Sequence, residues 1–467
     1  MSFRYNKHKI IYFAIALLVV VMVVQSCQKE PQELTEEELN ETLSGGTQTV
    51  FNSGGGAYGQ PFPNMSGNNG FVHGVGDAAF EATFVSSPSP INPGLGPIFN
   101  SVSCRSCHIA DGRGKPPMPG EQLSSMLIRL SVSGQEAHGG PIGIPGFGDQ
   151  LQTKAIVGSK AEADLDIKYS YKTYSFPDGQ KYELRSPSYQ LKNPYIPLPG
   201  SYMVSPRVAP PVFGLGLLEA IPEWAVLANE DVNDANGDGI SGKANYGWDE
   251  VKKQKALGRF GWKAAMPTIL QQSAGAYQQD MGITNFIYKT KSAFGQSQYK
   301  PEMDAIIDVT DSLLHAVDFY VKTLAVPARR NAGDATVKRG KMIFQQANCT
   351  SCHIATFKTD VNVAFREISN QTIFPYTDLL LHDMGTELAD NRPDYLANGQ
   401  EWRTSPLWGI GLTQVVNGHN NFLHDGRARN LTEAIMWHGG EAEQSKQHIQ
   451  KLSSIDRNAL LKFLESL

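Results

Sequence analysis

Two short stretches, Cys104-Arg105-Ser106-Cys107-His108 and Cys349-Thr350-Ser351-Cys352-His353, repeat one pattern: two thiols with two residues between them and an imidazole directly after the second. No other feature narrows the fold as far. Thiols at this spacing add across the two vinyl groups of haem, and the adjacent imidazole reaches the iron from the proximal side. The chain has five cysteines, and the fifth is Cys27, so none is left for a disulfide framework. Four Cys and two His also suit zinc, but the motifs lie far apart in the chain. A thiol–disulfide centre belongs in a βαβ context that the sequence does not show. The residues therefore predict two covalently bound haem c groups, with His108 and His353 as proximal iron ligands.

The N-terminus points out of the cytoplasm. Arg4, Lys7, His8 and Lys9 precede an apolar run from Ile10 to Val24, short for a membrane span and right for a signal-peptide core. The run ends in Val24-Gln25-Ser26-Cys27, similar to a lipobox whose Cys takes a lipid; an uncleaved anchor is the alternative. Residues 1–27 are thus expected as a lipoprotein signal peptide and 28–69 as a flexible tether. The expected location is the cell envelope, on the periplasmic side or at the outer membrane and cell surface. A net charge of −5 and the lack of a Lys/Arg cluster exclude nucleic acid as a partner.

A Pro- and Gly-flanked segment from Ala325 to Gly333 divides the remainder into 70–330 and 331–467, each with one motif near its start. In the second region Asp334 is placed to cap a helix through Val337, Gly340, Ile343 and Phe344, running into Cys349. Leu460, Leu461, Leu464 and Leu467 have helical spacing, with Phe463 beside them. These two helices are the expected crossing pair of a cytochrome c domain, with Gly340 at the close approach. In the first region Tyr169, Tyr171 and Thr173 alternate, Phe176-Pro177-Asp178-Gly179 turns, and Tyr182 and Leu184 follow, which predicts a β-hairpin. Pro and Gly between Pro187 and Pro222 predict ordered loops. The expected fold is mainly α: two cytochrome c-like domains in tandem, the first enlarged by loops and small β insertions.

Longer motifs surround the haem sites. They include Gly94-Leu95-Gly96-Pro97-Ile98-Phe99-Asn100, Ser205-Pro206-Arg207-Val208-Ala209-Pro210-Pro211, Gly258-Arg259-Phe260-Gly261-Trp262-Lys263 and Asp280-Met281-Gly282. Leu381-His382-Asp383-Met384-Gly385, Trp402-Arg403-Thr404-Ser405-Pro406 and His424-Asp425-Gly426-Arg427 follow in the second region. From about Gly70 to Leu467 the chain resembles the bacterial di-haem cytochrome c peroxidase superfamily, in particular its di-haem oxidoreductase branch, often labelled thiol oxidoreductase.

The resemblance implies a low-potential, peroxidatic first haem and electron uptake at the second. It implies that Asp280 moves protons on the distal side of the first haem, in the place of a family Glu, helped by Gln271 or Gln272. It gives His138, in a Gly-rich loop, as a cap on the inactive iron; a solvated surface His is the plain alternative. The family's Met ligand to the second iron stands just before His-Asp-Gly, where this chain has Leu423. Met384, His382 and His424 are then the candidate sixth ligands, and a thioether there would raise the potential. Arg207 is placed to bind a haem propionate through its fork. Trp262, ahead of Trp402 and Trp408, is the candidate for electron passage between haems; core packing is the plain alternative for all three.

Asp234, Asn236 and Asp238 alternate ahead of Gly239, the first half of a calcium loop, although Asn245 stands where a bidentate Glu is usual. The expected activity is reduction of peroxide or a similar small oxidant at the first haem. Electrons would come from a redox partner protein or a quinone-linked donor. An electron-transfer cytochrome without its own substrate, or a thiol or sulfur-compound oxidoreductase, is the alternative.

Overall fold

The computed structural model describes residues 34–362 and 365–467. The apolar run and Cys27 lie outside the described residues. Among the described residues no helix is long and apolar enough to cross a membrane.

Residues 34–69, expected as a tether, are packed onto the body of the protein. Helix α1 (Glu36–Thr42) begins with a reciprocal capping box between Thr35 and Glu38. Glu41 on this helix is buried and pairs with Arg329 and Lys341. Further on, the Tyr58 ring stacks on Phe213 at 4.3 Å, and its hydroxyl donates to the Gly409 carbonyl. Polar composition hid these anchors: Tyr58 and Phe62 are each only 2% exposed.

Helix α2 (Asn69–Glu81) precedes the first cysteine pair, which sits on a single helical turn, Cys104–Cys107. Strands then dominate: β1 (Met126–Gln135), β2 (Asp164–Ser175), β3 (Lys181–Lys192) and β4 (Met203–Val208). β2 and β3 form the hairpin that alternation predicts, with Tyr174 opposite Tyr182. β1 pairs antiparallel with β4, Met126 facing Val208 and Arg129 facing Ser205.

This corrects the expectation of a mainly α fold: 29% of the chain is helical and 19% lies in strands, spread over many small sheets. The segment around Pro187 and Pro206 looked loop-like because of its prolines. Strands with a free edge tolerate a residue that cannot donate, and both prolines sit in such ribbons.

The remaining helices are α3 (Ile269–Met281), α4 (Asp311–Lys322), α5 (Ala335–Gln346), α6 (Leu431–Met436) and α7 (Ser454–Ser466). Asp334 caps α5 by accepting from the amides of Thr336 and Val337. α5 crosses α7 at Gly340, where an added Cβ would lie 2.0 Å from the Ala459 carbonyl oxygen and 2.7 Å from Phe463 Cβ. The same crossing recurs between α2 and α4: a Cβ on Gly76 would lie 2.1 Å from the Ala316 oxygen and 2.6 Å from Tyr320 Cβ. Four residues on from each glycine, Phe80 and Phe344 approach His108 and His353, each with ring centroids 6.1 Å apart. Gly to Ala in a free helix stabilises by about 1 kcal/mol. Here Gly340→Ala forces the helices apart and is expected to destabilise by about 1–3 kcal/mol, read by urea unfolding.

Candidate functional site

Each cysteine motif opens on its own cavity. In the first, of about 380 Å³, Cys104, Cys107 and His108 form part of the wall. Ser103 caps the short turn by accepting from the Ser106 amide, which fixes the thiols on one side. The His108 ring donates from Nδ1 to the Pro210 carbonyl at 2.8 Å, so Nε2 carries the lone pair. Burial lowers the pKa of this imidazole to about 4, keeping it neutral. The second cavity, of about 220 Å³, repeats the arrangement with Cys349, Cys352 and His353. Nδ1 of His353 donates to the Tyr376 carbonyl at 3.0 Å, and burial again lowers its pKa to about 4.

Burial pushes the Cys104 and Cys349 thiols up to about 12 and Cys107 to about 11. A disulfide-exchange centre needs the opposite shift, towards thiolate. Buried polar atoms also await a partner at the first cavity: Arg113 Nε, Arg392 Nε and the Tyr277 hydroxyl make no hydrogen bond. A buried group of this kind needs an explanation, and a haem with its propionates fits these donors and this largely apolar lining.

A family model described as di-haem oxidoreductase, putative peroxidase, matches residues 39–467. The chain belongs to that family. No curated protein and no solved structure matches it. Membership supports haem binding, and the two cavities are where this di-haem oxidoreductase can take it.

The oxidoreductase's first cavity is the more polar. Asp280, near the C-terminal end of α3, is half-buried in its wall, and desolvation there raises its carboxyl above the ordinary range. Gln150 donates from Nε2 to Asp280 Oδ1 at 2.6 Å. The Asp280 carbonyl accepts from the amides of Asn100 and Ser101, which locks α3 to the segment leading into Cys104. Gly96 lies against Gly282, where a Cβ would come within 2.7 Å of backbone, so two of the sequence motifs meet here. Gln271 and Gln272 also line this cavity; Gln271 donates to the Trp248 carbonyl at 2.9 Å. Arg207 lines it as well, bonded to Ser205 Oγ and Asp394. Burial opposes charge on Asp394, yet Arg207 and Arg392 hold its carboxyl below the usual range.

His138 does not reach this cavity. It is exposed on the turn after β1, its ring stacked on Trp248 at 3.7 Å. The hairpin geometry of that Gly-rich loop points it outwards, a feature that chain position alone does not reveal.

Around the second cavity, His382, Met384, His424 and His438 face the space beside His353. His382 is held at both nitrogens, by Asp378 at 2.8 Å and Glu441 at 2.7 Å. Burial opposes its protonation, but Asp378, Cys352 and Glu441 raise its pKa well above the usual value. Cys352, Asp378 and His382 also offer ligand atoms within 4.8 Å of one another. His424 lies flat on Trp402 at 3.7 Å. Burial lowers its pKa to about 3.

Trp262 borders both cavities, as do Trp408 and Arg113. Its indole donates to the Val208 carbonyl at 2.8 Å, and the Arg113 guanidinium sits 5.1 Å from its ring. Trp402 borders the second cavity only.

The loop 231–242 spends its oxygens on its own backbone. Asp234 accepts from Gly239, Asn236 from Asp238, and Asp238 from Ile240. Asn245 turns into the core and donates to the Lys263 and Asp394 carbonyls. Among the described residues the loop's Asp side chains do not form a group of three with ligand atoms within 4.8 Å of one another.

Sequence reasoning missed Gln150, Arg113, Tyr277 and His438. The first three are single residues with no spacing signal. His438 had one: it ends a short amphipathic run just before two glycines.

Proposed function

We propose that this di-haem oxidoreductase binds both groups covalently, as haem c, and reduces hydrogen peroxide or a similar small oxidant in the first cavity. Attachment would use Cys104 and Cys107 in that cavity and Cys349 and Cys352 in the second, with His108 and His353 on the irons. When bound, the haems supply the redox chemistry, with electrons arriving through the second and used at the first.

The observation that carries this reading is the contrast between the two walls. The first has a half-buried carboxyl, Asp280, raised above the ordinary range by desolvation, close to the cysteine pair and steadied by Gln150. Peroxide reduction to water consumes two protons with its two electrons, so a positioned acid is required. Gln150 occupies Oδ1, which leaves Oδ2 to carry and release the proton. The second wall gathers imidazoles and a thioether instead, groups suited to ligating a haem iron. Trp262 and Trp408 occupy the ground between the cavities, with Arg113 braced on the Trp262 indole.

Thioether attachment is made outside the cytoplasm, which agrees with export of the chain as a lipoprotein anchored through Cys27. A redox partner protein or a quinone-linked donor would then supply electrons at the envelope.

The test is peroxide consumption by the matured, pre-reduced protein, with electron paramagnetic resonance of the oxidised form. The reading predicts multiple turnovers with an artificial donor and one high-spin iron that responds to peroxide. Two unreactive low-spin irons would instead make the protein an electron carrier.

A further inference from the structure

Three histidines in this protein share one local arrangement. His108 and His353 each place Nδ1 on a backbone carbonyl and turn the other ring edge to a cavity. His438 does the same: its Nδ1 donates to the Ala434 carbonyl at 2.7 Å, and its ring lines the second cavity. Fixing one ring nitrogen on a carbonyl sets the tautomer, orients the ring and leaves the other nitrogen as a basic donor, which is how metal-bound imidazoles are held.

The chain builds this position deliberately. Asn430 caps α6 by accepting from the Glu433 amide, and the helix ends at Met436. Carbonyls in the last turn of a helix lack intrahelical partners. The imidazole two residues past the end folds back onto one of them. Gly440, at φ +55, then turns the chain away.

The other groups facing this cavity are less suited. Both nitrogens of His382 are spent on carboxylates. The ring of His424 lies against Trp402, with Nε2 3.9 Å from the Asp425 carboxylate. Leu423, just before it, has no donor atom, and Met384 packs between two apolar clusters.

We propose that His438 is the second axial ligand of the iron held by His353, so that the second haem is bis-histidine coordinated. This rests on the haem reading above. Two imidazoles in place of imidazole and thioether keep the potential of that haem lower than a histidine–methionine centre would have.

The experiment uses the matured full chain, with bound haem counted by pyridine haemochrome and coordination read by electron paramagnetic resonance and near-infrared magnetic circular dichroism. The wild type should show one bis-histidine low-spin haem. In His438→Ala, haem content should stay at two while that low-spin signal is lost and a second high-spin iron appears, and added imidazole should restore it. In His438→Met the near-infrared band should move to the thioether type and the midpoint potential should rise. Met384→Ala should leave the spectrum unchanged. A thioether-type band in the wild type, or an unchanged low-spin signal in His438→Ala with both haems present, overturns the proposal. So does loss of the signal in Met384→Ala. If His438→Ala does not fold, the wild-type band and His438→Met decide alone. A wild type without bound haem would refute the functional reading itself, a distinct outcome.

Discussion

Replacing Asp280 by Asn should cut peroxide turnover by about 10²–10⁴-fold, the usual contribution of one positioned acid or base. The amide is isosteric and still accepts from Gln150 through its carbonyl oxygen, so haem content and unfolding midpoint should hardly change. The pH profile provides a second readout. Burial raises the Asp280 carboxyl above the ordinary carboxylate range. Its protonated form therefore persists to higher pH than in an exposed Asp. As proton donor it should sustain turnover on the acid side, and activity should fall as pH rises through the raised value. Asp280→Asn should remove that falling limb as well as the rate. A variant with wild-type turnover would show that protons reach the oxidant by another route.

Lys263→Met should destabilise the protein by about 3–5 kcal/mol, the cost of leaving a buried charge without its partner. Lys263 and Asp390 are 0% and 1% exposed and 2.7 Å apart. The ammonium also donates to the Arg392 and Asn398 carbonyls, both at 2.8 Å, which uses all three of its protons. Burial lowers its pKa to about 8 despite Asp390. The pair ties the segment carrying Trp262 to the loop carrying Arg392 and Asp394, so the loss should also disturb the contact between the two cavities. Adding Asp390→Leu should recover part of the stability, since no charge is then left alone, but the two carbonyls remain without a donor. Denaturant unfolding of the two single variants and the double variant measures the coupling. Full additivity would mean that the ion pair does not act as a unit.

What the sequence revealed and what it hid follow from the range of the interactions. The cysteine motifs, the Asp334-capped helix and the hairpin around Asp178 are local patterns, and each is present. The α5–α7 crossing was legible because Gly340 and Phe344 adjoin one motif and the leucine repeat closes the chain. Its counterpart was not: Gly76 meets Ala316 and Tyr320 across the whole first region. The pairing of β1 with β4 depends on a similar long closure, and Pro206 disguised one of the strands. At the sites, Asp280 could be singled out only by resemblance, and its burial came from folding. His138 lies on an exposed turn, and a turn decides which way a loop side chain points. His438 carries only a weak signal, the end of a short amphipathic run before two glycines, and it is α6 that brings it into the wall of the cavity lined by His353.

All of this depends on two porphyrins bonded to the polypeptide at Cys104, Cys107, Cys349 and Cys352. Mass spectrometry of the denatured, correctly matured chain tests that most directly. The expected result is a mass greater than the processed polypeptide by two haems, one of them lost from a Cys104→Ala/Cys107→Ala variant. A polypeptide mass with no haem added, its colour extracted into acid-acetone, would contradict it.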